Sequence, residues 1–217
     1  MRPPILITGI ARSGTSLVAG IIQGCGAKAG EVGKPGDKWN PSGYFENNTM
    51  IEKVDKMILK GTGYDPMGQE KLPYPTLTRV DIRDKVFKIA QDQGIGPNEI
   101  WYFKDAKLLL VYGSYVNSFP DSKIIIVRRN PHDIIESCLI TPFMSKRHSY
   151  LEWSDWVNHQ LALMDCLKIE HPQVREIWYE DLMNKEFKHL ENIINWLGLE
   201  YDIDFINSII IKKNGSK

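Results

Sequence analysis

The residues Gly9-Ile10-Ala11-Arg12-Ser13-Gly14-Thr15-Ser16 follow an apolar run, Ile5-Leu6-Ile7, and precede Leu17, Val18, Ile21 and Ile22 at helical spacing. A glycine-rich turn between a strand and a helix aims backbone N–H groups and the positive helix end at one point, which makes a cradle for phosphate-like anions. Ser13, Gly14, Thr15 and Ser16 supply the donors, and Arg12 adds a cation suited to charge developing on a bridging oxygen. The spacing is that of the Walker loop, yet Thr15 stands where that loop needs lysine. Arg128 and Arg129 end the apolar run 124–127, where a nucleotide hydrolase places a magnesium-binding acid. An ordinary ATP or GTP hydrolase is therefore disfavoured, and a more anionic ligand, held without metal, is expected.

A second cradle follows from the same arginines. Asn130 has the type of a helix N-cap, Pro131 suits the first helical position, and Asp133 falls in the first turn of a helix expected to run to about Leu139. Two strand-end arginines can grip a phosphate by charge-assisted hydrogen bonds. Ser137, two turns beyond Asn130, lies on the face of the helix start and can share that phosphate. Two anion sites imply a nucleotide phosphorylated at two positions.

These loops must be positioned by strands and helices. Short β-branched or aromatic runs at 5–8, 100–103, 124–127 and 174–178 read as buried strands separated by helical patterns. That alternation predicts an α/β fold of P-loop type: three α/β/α layers around a mostly parallel sheet of four to five strands, with ligand beyond the strands' carboxyl ends. The segment 24–48 is too long and irregular for a plain connector and is expected to be functional. Residues 141–149, with Lys146, Arg147 and His148, form a candidate lid before a helix from 151 to about 169. The tail 212–217 is polar and expected to be irregular.

With 217 residues and 42% hydrophobic content, one domain over 1–217 is the expectation. The 27 basic and 27 acidic side chains cancel, which argues against nucleic-acid partners and a membrane-seeking surface. Cys25, Cys138 and Cys166 are odd in number and lack metal-ligand spacing, as expected of buried thiols in a reducing compartment. No run approaches the ~18 apolar residues of a membrane span, so a cytoplasmic protein is expected.

Residues 7–17 resemble the 5′-phosphosulfate loop of sulfotransferases that use PAPS (3′-phosphoadenosine 5′-phosphosulfate). Residues 123–131 with Ser137 resemble the 3′-phosphate motif of that family. Segments 40–46, 101–105 and 178–182 are similar to bacterial sulfotransferases and, for the last, to tyrosylprotein sulfotransferases. The resemblance covers residues 5–182. It implies PAPS as donor, adenosine 3′,5′-bisphosphate as product, Arg129 and Ser137 on the 3′-phosphate, and Tyr179 stacked on adenine. Two departures stand out: the C-terminal glycine-rich phosphate motif of cytosolic members is absent, and Ala106 replaces the proline usual in bacterial relatives.

Such transfer mainly positions groups and neutralises leaving-group charge, with a base for the acceptor proton. By resemblance, Glu31 lies at the right distance beyond Arg12 and is the first candidate; Glu46, flanked by Tyr44 and Phe45, is the second; Asp37 is a third. Lys104 and Asp105 either face the reacting groups or close a helix N-terminus as an ion pair. His132 belongs to a helix cap, and Trp153 and Trp156 anchor a helix. The acceptor hydroxyl or amine belongs to a small molecule, carbohydrate or peptide. Rival readings are a P-loop nucleoside or small-molecule kinase and a non-catalytic nucleotide-binding relative.

Overall fold

The computed structural model describes residues 1–33, 36–40, 43–70 and 79–214, the last three as backbone. Its sheet has four parallel strands among the described residues, β1 (Ile5–Gly9), β2 (Tyr102–Lys104), β3 (Ile124–Arg128) and β4 (Val174–Trp178), in the order β2-β1-β3-β4. Parallel strands covered on both faces need apolar residues at every position rather than alternate ones. That explains the unbroken runs: Ile5, Ile7, Ile125 and Val127 pack to one side, and Leu6, Ile124 and Ile126 to the other.

Among the described residues ten α-helices complete the layers: α1 (Thr15–Gly24), α2 (Asn48–Met50), α3 (Lys56–Gly61), α4 (Arg83–Asp92), α5 (Tyr112–Ser118), α6 (Pro131–Ile140), α7 (Tyr150–Glu170), α8 (Tyr179–Met183), α9 (Lys188–Leu197) and α10 (Ile203–Asn214). A π-helical turn, Ile51–Asp55, joins α2 to α3, and a 3-10 turn, Lys107–Leu110, follows β2. Leu17 and Ile21 of α1, Ile194 of α9 and Ile206 of α10 cover one face of the sheet. Val86 of α4, Tyr115 of α5, Ile134 of α6 and Trp153 of α7 cover the other.

The register fixes the site. Gly9 pairs with Val127, so the turn after β1 and the arginines ending β3 emerge side by side at the carboxyl edge. Asn130 caps α6 as its type suggests, accepting the N–H of His132 at 2.9 Å, with Pro131 at the helix start. A Ser149–Glu152 capping box starts α7. Two expectations shift. The strand expected over 100–103 covers 102–104, because Trp101 instead pairs with Lys28 of the long loop. The tail expected from 212 is helical to Asn214, and 215–217 lie outside the described residues. The segment 141–149 is tied down by Gln69, whose side chain donates to the Phe143 carbonyl at 2.6 Å and accepts the Ser145 N–H at 3.0 Å.

Cys25 and Cys138 are buried and Cys166 half-buried, all three as free thiols. Among the described residues no helix is long and apolar enough to cross a membrane.

Close approach of β1 to β3 demands glycine at position 9, where a Cβ would lie 2.5 Å from the Val127 carbonyl oxygen. Backbone on a central strand yields poorly, so Gly9→Ala should cost about 1–3 kcal/mol and lower the urea midpoint. An unchanged midpoint would mean the two strands are less tightly apposed than this register requires.

Candidate active site

The turn after β1 is held in an unusual shape. Arg12 adopts a left-handed backbone, φ 76°, which costs a non-glycine residue about 1–2 kcal/mol. That conformation lets its carbonyl accept a 2.9 Å hydrogen bond from Nη1 of Arg129, a charge-assisted contact worth about 1.5–3 kcal/mol that offsets the strain. The Arg12 side chain then spans the site: Nε donates to Ser137 Oγ at 2.9 Å, Nη2 donates to the Trp39 carbonyl at 3.1 Å, and the guanidinium lies 5.7 Å from the Phe143 ring centroid. Both sequence cradles therefore meet at one residue.

Gly14 follows with φ 97° and leads into α1, whose N-terminus has no side-chain cap. The first-turn N–H groups of a helix lack intrahelical acceptors, and here they sit at the mouth of the turn. Ser13 is fully buried, and its Oγ has no hydrogen-bond partner among the described residues; the same holds for Nε of Arg129. The ring of Tyr179 packs where a Gly14 Cβ would come within 2.4 Å of it, and the Arg129 guanidinium lies 4.8 Å from that ring's centroid. Arg128 departs from the paired-arginine grip: it binds Glu176 at 2.5 Å and Asp165 at 2.6 Å, so of the two only Arg129 turns to the Arg12 loop. Burial pushes the Cys138 thiol up to about 12, leaving it a neutral packing group.

Next to the turn opens a cleft of about 460 Å³, whose lining includes Ala11, Tyr44, Glu46, Lys107, Trp156 and Gln160. Lys104, only 3% exposed, bonds Glu46 Oε1 at 2.6 Å, Ser16 Oγ at 3.2 Å and the Tyr44 carbonyl at 3.3 Å. One ammonium thus ties the start of α1 to a carboxylate on the cleft wall. Asp37 accepts from the Tyr44 hydroxyl at 2.8 Å and from the N–H groups of Trp39 and Asn40. The Tyr44 bond, helped by those N–H groups, holds its carboxyl below the ordinary range, while burial and Asp37 push the Tyr44 phenol up to about 12. Glu31 is exposed, lies outside the cleft lining, and turns its backbone N–H to Gln93 Oε1 at 3.1 Å.

The model of the sulfotransferase family matches residues 3–203. The chain belongs to the sulfotransferase family. Solved structures agree at the level of fold. The sulfotransferase domain from the curacin biosynthetic pathway aligns with TM-score 0.58 and 13% identity, covering 94% of this chain and 77% of that one. Sulfotransferase STF1 from Mycobacterium tuberculosis aligns with TM-score 0.53 and 14% identity, over 97% and 71%. A sulfotransferase from Alicyclobacillus acidocaldarius aligns with TM-score 0.54 and 16% identity, over 94% and 88%. No curated protein matches this sequence.

In this sulfotransferase Lys104 and Asp105 do not pair with each other, the second of the two arrangements their sequence left open. The two residues are adjacent at the end of an extended strand, where successive side chains leave on opposite sides. Lys104 goes to Glu46, whereas Asp105 accepts from Nζ of Lys107 at 2.9 Å and from its backbone N–H at 3.1 Å, closing the 3-10 turn. Asp105 also meets Asp55 of the π-helical turn, and both are fully buried. Asp55 accepts from the Tyr115 hydroxyl at 2.6 Å. Burial, then the neighbouring Asp105, raises the Asp55 carboxyl well above its ordinary value. Burial acts the same way on Asp105, but Lys107 and the hydrogen bond from Asp55 outweigh it and hold Asp105 low. Protonation is thus favoured on Asp55 and ionisation on Asp105. Among the described residues, no three His, Cys, Asp or Glu side chains are grouped to hold a metal.

Because folded Asp55 retains its proton, the native state binds more protons than the unfolded chain above the ordinary value of 3.8, and stability falls as pH rises from there toward the raised pKa. Asp105, held low, acts below that window, where stability rises with pH. Asp55→Asn keeps the shape without titrating. Relative to wild type, its unfolding free energy should improve with pH by up to about 1.4 kcal/mol per unit, read by urea unfolding between about pH 5 and about pH 9. A pH-independent difference would remove the proton from Asp55.

Proposed function

We propose that this sulfotransferase moves a sulfuryl group from PAPS to an acceptor hydroxyl or amine, in the cytoplasmic setting its three free thiols suit. The observation that carries the reading is the meeting at Arg12, which touches both Ser137 and Arg129 at 2.9 Å. Anion sites that close suit one doubly phosphorylated nucleotide. The residues also fit the donor chemically: buried Ser13 Oγ and Arg129 Nε, without protein partners among the described residues, would bond its oxygens.

In this reading the turn 9–16 and the start of α1 hold the 5′-phosphosulfate through Ser13, Gly14, Thr15 and Ser16, while Arg129 and Ser137 hold the 3′-phosphate. Tyr179 braces Arg129 and Gly14 beside the adenosine. Bound there, the donor would supply the sulfuryl group, its sulfur–oxygen bond to the 5′-phosphate breaking as the acceptor atom bonds to sulfur. Arg12 and Lys104 stand where they neutralise charge on the departing phosphate. Glu46, held against the turn by Lys104, takes the acceptor proton. We assign the base to Glu46 rather than Glu31 because Glu46 lines the cleft and Glu31 does not. Asp37, kept anionic by its three hydrogen bonds, is a poorer proton acceptor.

With labelled PAPS and a panel of phenol, carbohydrate and peptide acceptors, Glu46→Gln should lower kcat by about 10²–10⁴-fold and leave donor affinity nearly unchanged, while Glu31→Gln stays close to wild type. The opposite ranking would return the base to Glu31. Arg129→Ala should weaken adenosine 3′,5′-bisphosphate at least about tenfold in titration calorimetry, as expected for a lost charged hydrogen bond. Unchanged affinity would remove Arg129 from the donor site.

A further inference from the structure

The cleft carries a feature that sulfuryl transfer does not use. Gln160 lies one helical turn beyond Trp156 on α7, so both face the same way. The Trp156 indole N–H is satisfied by the Gly68 carbonyl at 3.1 Å. Gln160 is only 2% exposed, lines the cleft, and its Nε2 has no hydrogen-bond partner among the described residues. An unpaired buried amide is costly, and a ligand oxygen in the cleft would relieve that cost. The same cleft is lined by the apolar side chains of Leu110, Phe143, Met144 and Met67 as well as by charged ones.

Of the four carboxylates lining the cleft among the described residues, three are paired with a cation, and the fourth, Asp37, is exposed and satisfied by neutral donors. Glu46 is paired with Lys104 at 2.6 Å, Asp105 with Lys107 at 2.9 Å, Glu52 with Lys56, and Asp37 is held by the Tyr44 hydroxyl. A charged acceptor entering this space would either lose its hydration unpaired or break one of those pairs, and either outcome is costly. A neutral amide, which both donates and accepts, can instead read a neutral polar group. A cleft of about 460 Å³ is of small-molecule size.

We propose that the acceptor is a small uncharged amphipathic alcohol or phenol, with an apolar body in the cleft and a second neutral polar group bound by Gln160. This rests on the proposed function only for which end of the ligand reacts. It disfavours anionic glycans, acidic peptides and cationic amines as acceptors.

The test uses four shape-matched probes: 3-(4-hydroxyphenyl)propanamide, the corresponding propanoate, tyramine and 4-propylphenol. Their affinities are measured by calorimetry with and without adenosine 3′,5′-bisphosphate. The amide should bind at least about tenfold more tightly than the propanoate and tyramine, and about three- to tenfold more tightly than 4-propylphenol. Gln160→Leu should erase the preference for the amide over 4-propylphenol while bisphosphate affinity stays constant. Gln160→Glu, which keeps the side-chain length, should shift preference toward tyramine. Equal or tighter binding of a charged probe to wild type, an unchanged preference in Gln160→Leu, or binding of none of the four overturns the proposal. Failure of the bisphosphate alone to bind contradicts the donor reading instead, and the probe ranking measured without it still decides the acceptor class.

Discussion

The site depends on the left-handed backbone of Arg12. Turning that one residue points its carbonyl at Arg129 and sends its side chain to Ser137 and to the Trp39 carbonyl, so a single position joins the turn after β1, the end of β3, the face of α6 and the long loop. The strain is small beside the charged hydrogen bonds it permits. The parallel β1–β3 register makes the contact geometrically available, and the Tyr179 ring against Gly14 and Arg129 keeps it in place.

A second layer of order comes from how buried charge is managed. Lys104 satisfies Glu46 and reaches Ser16 at the start of α1, which couples the cleft to the anion turn. Asp55 and Asp105 bury two carboxyls beside one cation, Lys107, and one phenol, Tyr115, and so brace the π-helical turn against the 3-10 turn after β2. Desolvated charges persist only when paired and hydrogen-bonded, and the result is a cleft wall with little net charge.

The sheet was legible because each strand is a short unbroken run of β-branched or aromatic residues, and the anion turn because glycine, serine and threonine punctuate it at fixed spacing. The Asn130-Pro131 start of α6 was legible for the same local reasons. Which of Glu31 and Glu46 lines the cleft was not: it depends on the path of an irregular loop, set by contacts such as that of the Glu31 N–H with Gln93, which no local pattern announces. The separation of Lys104 from Asp105 could have been read from strand alternation. Asp55 and Gln160 carry no spacing signal, since their significance lies in partners from, or the lack of partners in, distant elements. The end of α10 escaped because its polar terminal residues continue a helix whose apolar residues, Ile206, Ile209 and Ile210, pack on α1's side of the sheet.

Convergence of two anion sites on one nucleotide is tested most directly by titration calorimetry of the wild-type protein with adenosine 3′,5′-bisphosphate, adenosine 5′-monophosphate and adenosine 3′-monophosphate. Sites joined at Arg12 predict one bisphosphate per chain, bound at least about tenfold more tightly than either monophosphate. A bisphosphate no tighter than the 5′-monophosphate would contradict it.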